Sequence, residues 1–337
     1  MQRCFPLPLV LACSCAAANP SELERFEFSE PQMGLPFHVV LYAKDKPTAE
    51  ASARAAFDRI QQLNDRLSDY ETDSELSRLS QTAGSGQAVP VSDELWFVLE
   101  RSQKLAEQSE GAFDVTVGPV VSLWRNARRE RKLPDPTRLA EALKAVGHQK
   151  LQLDPRRHTA ELLVPCMRLD LGAIAKGYAV DEALKILRAR GILRALVSGG
   201  GDMAAGDSPP GKKGWRIEIA ALDVTNAPPP RLVWIANCGL ATSGDLFQHI
   251  EIAGRRYSHI VDPRTGIGLT DHSLVTVIAP DGITADGLST TVSVLGPQAG
   301  MQLVEQIRGA AALVVRKPAG QIETVESPAF RRYCEGR

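Results

Sequence analysis

The run from Asp170 through Leu171, Gly172, Ala173, Ile174, Ala175, Lys176 and Gly177 to Asp181 constrains this chain more than any other. It reads as the end of a strand, a turn of small residues, and the start of a helix. The helix then continues through Ala183, Leu184, Ile186 and Leu187 to Gly191. Small residues let backbone approach a ligand closely, and a helix N-terminus offers unpaired N–H groups to an anion. Two readings fit. Asp170 and Lys176 could grip the two ends of a polar ligand, or Asp170 could simply cap an ordinary helix.

The rest of the chain mixes helices and antiparallel-type strands without a βαβ rhythm, which predicts the α+β class. Residues 26–42 alternate as an opening hairpin with an irregular centre over 31–36. Ala53, Ala56, Phe57, Ile60, Leu63 and Leu67 recur at helical spacing and predict a helix over 48–67. Further helices are expected at 92–109, 136–146, 284–295 and 297–307. A short one follows the polar turn at 69–76. Strands are expected at 193–198, 215–221, 231–236, 247–253, 256–261, 273–279 and 311–315. No repeat or composition shift marks a boundary, so 24–330 reads as one domain.

Of 337 residues, 44% are hydrophobic, enough for a substantial core, and the formal net charge is −1. That balance argues against a nucleic-acid partner. The one basic stretch, 125–132, reads as a solvated helix end or loop. At the N-terminus Arg3 precedes an apolar run over 5–12, then Cys13, Ser14, Cys15 and three alanines. This is the pattern of a secretory signal over 1–18. The run is far shorter than the roughly 20 residues of a membrane span. Cleavage before Cys13, as in a bacterial lipoprotein, and cleavage after Ala18 are both compatible with it. Either way the mature chain is expected to be exported to the cell envelope and to face the periplasm, touching the membrane only through a lipid anchor. Cys4 leaves with the signal. The spacing of Cys166, Cys238 and Cys334 suits neither a zinc site nor a disulfide framework, and Cys166 and Cys238 read as buried thiols.

Four polar clusters sit where strands end. Ala112, Phe113 and Asp114 lie in a glycine-bounded segment, where Asp114 is either functional or a buried, satisfied turn residue. Gly199, Gly200 and Gly201, ahead of Asp202, form either a phosphate-binding nest or a tight reversal. His259 and Ile260 precede a turn over 262–266, and histidine titrates near neutral pH. Asp286 and Thr290 are four apart, hence on one face if Thr284 caps their helix. A carboxylate and a hydroxyl so placed suit Mg²⁺, which prefers hard oxygen donors. They suit equally a dipole-stabilising acid beside an inward threonine. Together the clusters point to metal-assisted chemistry on a phosphoanhydride.

Seven motifs occur in one order: residues 69–77, 111–124, 170–181, 198–202, 241–245, 257–266 and 285–296. In these the chain resembles the ApbE family, the FAD:protein FMN transferases. The resemblance implies a T-fold-related α+β architecture with mixed and antiparallel sheets flanked by helices. It implies an exported, Mg²⁺-dependent enzyme that takes FAD, attaches FMN through a phosphoester to a threonine or serine of an exported or membrane-bound acceptor protein, and releases AMP. By motif position Asp286, Thr290 and the carbonyl of Ala173 match metal ligands. Met33, Tyr70, Ala112, Phe113, Asp114, Asp170, Lys176, Gly200, His259 and Ile260 fall where the family contacts FAD. His259 and Asp286 are the candidate catalytic pair. An aromatic Tyr70 could stack on a flat ring. The chain departs from the pattern at Gly172, where serine or threonine is common. It departs again at Arg125, which replaces a glycine and opens a basic segment in place of a Gly-Phe-Gly loop. Two other functions share these features: a Mg²⁺-dependent FAD pyrophosphatase yielding FMN and AMP, and a non-catalytic FAD-binding lipoprotein.

Overall fold

Met33 and Gly34 both carry positive φ, 50° and 75°, the geometry of a two-residue turn whose twist matches its strands. The turn closes β1 (Glu24–Gln32) onto β2 (Leu35–Ala43) in antiparallel register, from Glu24 opposite Ala43 to Gln32 opposite Leu35. Pairing runs straight through Pro31 and Pro36, so the irregular centre expected there is only the two-residue turn. Pro31 lies on the sheet's edge strand, and Pro36 falls just outside the pairing of β2 with its other neighbour, so neither missing N–H breaks a ladder bond.

This computed structural model describes residues 23–222, 228–245 and 248–334. The leader, with Cys4, Cys13, Cys15 and Ala18, lies outside the described residues. Among them no helix is long and apolar enough to cross a membrane.

After the hairpin come α1 (Lys46–Leu67), α2 (Glu75–Gln81), β3 (Val89–Pro90), α3 (Asp93–Gln108), α4 (Gly118–Glu130) and α5 (Pro136–Leu143). The middle of the chain supplies β4 (Leu151–Asp154), β5 (Thr159–Leu162), α6 (Ala175–Ala189), β6 (Ala195–Gly199), β7 (Asp202–Ala205) and β8 (Trp215–Ile219). Then follow β9 (Arg231–Ile235), β10 (Cys238–Gly244), β11 (His249–Ile252), β12 (Arg255–Ser258), β13 (Ser273–Ala279), α7 (Gly282–Gln306), β14 (Ala311–Arg316) and β15 (Glu323–Glu326). The α+β class holds. The two helices expected at 284–295 and 297–307 are the halves of α7, which breaks at Gly296 (φ 75°, ψ 175°) just before Pro297. Helix α7 is capped by Asp281, which accepts from the Thr284 amide at 2.9 Å, so Thr284 is inside the first turn rather than its cap.

Eight strands form one sheet in the order β1-β2-β6-β7-β10-β13-β14-β15. Every residue of β13 is buried, because both faces of the sheet are covered. Val275, Val277 and Ala279 point into the core beneath α1, α6 and α7. Leu274 and Ile278 point the other way, against Trp215, Ile217, Val233, Ile235 and Phe330 on the β8–β9 ribbon and the C-terminal turn. This is the strand period of two read out in three dimensions. A third apolar cluster joins Val120, Trp124 and Ala127 of α4 to Ile250 and Tyr257 of the β11–β12 hairpin. There the Trp124 indole N–H donates to the Gly266 carbonyl at 2.8 Å. Cys166 is exposed rather than buried, in a turn where its own φ is 63°. Cys238 is partly buried, and that burial pushes its thiol up to about 11.

Candidate active site

The Asp170 carboxylate does not cap α6. Its Oδ1 accepts from the Gly172 amide at 2.8 Å and shapes the turn, while the helix itself begins after Ile174 without a side-chain cap. Asp170 Oδ2 faces the other way and pairs with the Arg125 guanidinium at 2.8 Å. Burial and the neighbouring Asp69 raise the pKa of Asp170, and Arg125 opposes them.

Lys176, the second residue of α6, turns toward Asp202 and Asp286. Its Nζ donates to the Gly172 carbonyl at 3.2 Å, stands 2.7 Å from Asp202 Oδ2, and lies 3.5 and 3.4 Å from the two oxygens of Asp286. Asp202 starts β7 and Asp286 sits in the second turn of α7, so one ammonium ties the end of a central strand to two helices. Both carboxylates are buried, at 2% exposure each. Burial alone would lower the pKa of Lys176, but the two acids outweigh it and hold the ammonium charged, above the ordinary lysine range. Burial, with Asp286 close by, pushes Asp202 up to about 7 against the pull of Lys176.

The three glycines ahead of Asp202 form the β6–β7 reversal, with positive φ at Gly200 (61°) and Gly201 (98°). Strand follows them, as the sequence implies. Gly200 packs beside the Lys176 chain and under Leu35, so the Met33 turn of the first hairpin flanks this loop. Gly201 O accepts from the Thr242 amide of β10 at 3.2 Å. One residue on, the Ser243 hydroxyl meets Ser289 Oγ at 2.7 Å and Thr290 Oγ1 at 3.1 Å.

Helices α6 and α7 approach closely where both are glycine. A Cβ on Gly177 would fall 2.2 Å from the Gly282 carbonyl oxygen. The Gly177 amide instead donates to Asp286 Oδ2 at 2.9 Å. Asp181, the last residue of the opening motif, accepts from the Gly282 and Ile283 amides at 2.7 and 2.9 Å. The small residues that mark this motif thus serve a helix–helix contact.

His259 lies on the segment leaving β12. Its Nδ1 can only donate to the Gln248 carbonyl, 3.0 Å away, which leaves Nε2 as the basic nitrogen. Burial pushes the imidazole down to about 4, so it is neutral at physiological pH. The next residue, Ile260, is buried, and its amide donates to the Ser258 hydroxyl at 3.0 Å.

Asp114 is buried and accepts from the amide and hydroxyl of Thr116 at 2.8 and 2.6 Å. Burial raises its pKa. Ala112 and Phe113 are core side chains, so any ligand contact from them would come through backbone. Tyr70, by contrast, is 73% exposed, with the Arg125 guanidinium 4.2 Å from its ring centroid.

The structure therefore gathers Asp170, Gly172, Lys176, Gly200, Asp286 and Thr290, with Tyr70 linked through Arg125. Sequence reasoning leaves out Asp202, although an acid directly after a glycine nest at a strand start is a readable signal. It also reads Arg125 as solvated, whereas the structure turns this side chain inward onto two carboxylates.

A family model described as the ApbE family matches residues 33–314. The chain belongs to the ApbE family. A Haemophilus influenzae protein named FAD:protein FMN transferase is 33% identical over 338 residues, covering 98% of this chain and 97% of its own. A Vibrio cholerae protein of the same name is 32% identical over 310 residues, covering 90% and 91%. The crystal structure of the Pseudomonas stutzeri flavinyl transferase ApbE, apo form, superposes with a TM-score of 0.82 at 32% identity, covering 94% of this chain and 98% of that one. The fold and the ordered ApbE motifs thus agree with two independent kinds of comparison.

The donor set can be tested against the metal this family resemblance implies. Among the described residues no three His, Cys, Asp or Glu side chains cluster as a cage. Asp286 and the Thr290 hydroxyl on α7 and the Ala173 carbonyl in the turn before α6 are all hard oxygens, and Gly177 and Lys176 join α6 to Asp286. An ammonium already standing at Asp286 marks this as a seat for positive charge. Mg²⁺ is usually held by one or two carboxylates plus waters and substrate phosphates, so the residues fit it.

Proposed function

We propose that this protein is a Mg²⁺-dependent FAD:protein FMN transferase. The observation that carries the reading is the Lys176 ammonium, held between Asp202 and Asp286 beside the Gly199–Asp202 reversal, in a chain whose full-length relatives bear that name. This arrangement suits a pyrophosphate: the lysine and the loop amides take anionic oxygens. Asp286, Thr290 and the Ala173 carbonyl would hold Mg²⁺, which when bound neutralises phosphate charge and eases departure of the leaving group.

The protein's own side chains carry the remaining work. Lys176 orients the phosphates. Tyr70 stacks on one ring of FAD, with Met33, Asp170 and Ile260 at the pocket wall and the 112–114 backbone beside it. His259 Nε2, neutral and unprotonated, accepts the proton of an acceptor threonine or serine hydroxyl. That oxygen attacks the FMN-side phosphorus, the new P–O ester forms, the pyrophosphate P–O bond breaks, and AMP leaves with its electron pair. The acceptor is a second protein, and the leader over 1–18 puts enzyme and acceptor outside the cytoplasm, with a lipid anchor if cleavage precedes Cys13.

The test is one incubation of purified protein with FAD, Mg²⁺ and an exported acceptor domain. Covalently yellow acceptor plus AMP is expected. Free FMN and AMP with unlabelled acceptor would make the protein a pyrophosphatase. Bound, intact FAD would make it a carrier.

A further inference from the structure

The Arg125 side chain does three things at once. It pairs with Asp170 Oδ2 at 2.8 Å and with Asp69 Oδ2, two carboxylates whose side chains are only 8% and 7% exposed. It also lays its guanidinium on the Tyr70 ring, 4.2 Å from the centroid. The partners come from two places, Asp69 and Tyr70 from the loop after α1 and Asp170 from the turn before α6, and Arg125 on α4 joins them. Neutralising two buried acids explains a cation here. It does not explain a flat one stacked on an aromatic ring, which is a property of guanidinium and not of ammonium.

The ring so held is the most exposed large apolar side chain described, at 73%. With one face on Arg125, its other face is open. A surface tyrosine without such backing would sample several rotamers and lose that freedom on binding a ligand. This one has lost it already, and affinity gained that way is preorganisation. The platform is also tied to the charged end of the site. Asp170, held by Arg125, accepts from the Gly172 amide at 2.8 Å, and the Gly172 carbonyl accepts from Lys176 at 3.2 Å.

Resting on the FAD reading above, we propose that Arg125 is a specificity-determining positioning residue: it presents the Tyr70 ring as a fixed stacking platform for one flat heteroaromatic end of the dinucleotide and sets its register to the phosphate-binding Lys176.

Calorimetric titration in EDTA, where no transfer occurs, tests this with FAD, FMN and ADP on the wild-type protein, R125K, R125A, Y70A and the double variants. FAD affinity is expected to fall about tenfold in R125A and in Y70A, as a stacking contact of this kind commands. R125K should fall severalfold although it keeps the charge. In the Y70A background either Arg125 change should cost less than about twofold more, because Arg125 acts through the ring. Whichever of FMN and ADP loses the same factor as FAD identifies the stacked ring. Wild-type affinity in R125K, an undiminished Arg125 effect in the Y70A background, or unchanged binding of both FMN and ADP would each overturn the proposal. If R125A fails to fold, the R125K and Y70A pair carries the same cycle. Failure of the wild-type protein to bind FAD would instead overturn the functional reading itself.

Discussion

The Gly177 amide donates to Asp286 Oδ2 at 2.9 Å, while the residue before it, Lys176, pairs with the same carboxylate. Two adjacent residues of α6 therefore grip one acid of α7, and that grip depends on a glycine–glycine approach. In Gly177→Ala the new methyl would lie 2.2 Å from the Gly282 carbonyl oxygen and 2.7 Å from Asp286 Cβ, so the helices must part. The expected cost is about 1–3 kcal/mol, with metal affinity lost in step. Urea unfolding measures the first and Mn²⁺ titration the second. An unchanged midpoint would mean that the helices separate freely.

Asp286 is expected to matter through its charge more than its shape. Asp286→Asn keeps an oxygen for the Gly177 amide, so its stability should stay within about 1 kcal/mol of the parent. FMN transfer should nevertheless fall at least about 100-fold, the scale of removing one group that stabilises transition-state charge. Asp286→Ala should abolish Mg²⁺-dependent transfer. Full transfer in either variant would remove Asp286 from the metal site.

Lys176→Met would strip the cation from two buried carboxylates, Asp202 and Asp286. Breaking a buried pair in this way costs about 3–5 kcal/mol. The cost should depend on pH. Burial already raises Asp202 to about 7 with the lysine in place, well above its unfolded value near 3.9. A carboxyl raised in the folded state favours folding while protonated, and that contribution is lost as pH rises from about 4 through 7. Thermal unfolding should therefore show a larger deficit for the variant at pH 8 than at pH 5. An equal deficit at both values would mean that Asp202 stays ionised without its partner.

The depressed histidine predicts an acid limb in the wrong place for an ordinary imidazole. With burial pushing His259 down to about 4, the free enzyme keeps a neutral base well below pH 6.5. The limb of kcat/KM assigned to this residue should fall near pH 4, and His259→Gln should slow transfer by about 10²–10⁴ while leaving FAD bound. The same shift gives a stability signature. The unfolded chain takes a proton near 6.5 and the folded one only near 4, so this residue withdraws stability as pH falls across that window. A limb at 6.5 that disappears in His259→Gln would show an unshifted imidazole.

How much of this was legible depended on whether a signal was local. The α1 helix was readable from its apolar spacing, and the β6–β7 reversal from three consecutive glycines. The break in α7 was readable from Gly296 and Pro297. Helix α4 was not, because its polar half reads as solvent-facing until Arg125 is seen to turn inward. The Asp286–Thr290 pair was legible because helical spacing by itself puts both on one face. The burial of Asp114 and its turn onto Thr116 were not legible, since a lone acid between apolar residues does not say which neighbour it will bond.

Residue order alone determined the α+β class, the strand and helix periods, the ordered ApbE motifs and the oxygen-rich donor types, because each follows from neighbours a few positions apart. Only the tertiary structure decided that Lys176 pairs with Asp202 and Asp286, and that Arg125 backs Tyr70. Those relationships join residues more than 20 positions apart. They arise where the end of a central strand and three helices meet. There burial makes the charges select their partners, because a buried ion left without one costs about 3–5 kcal/mol.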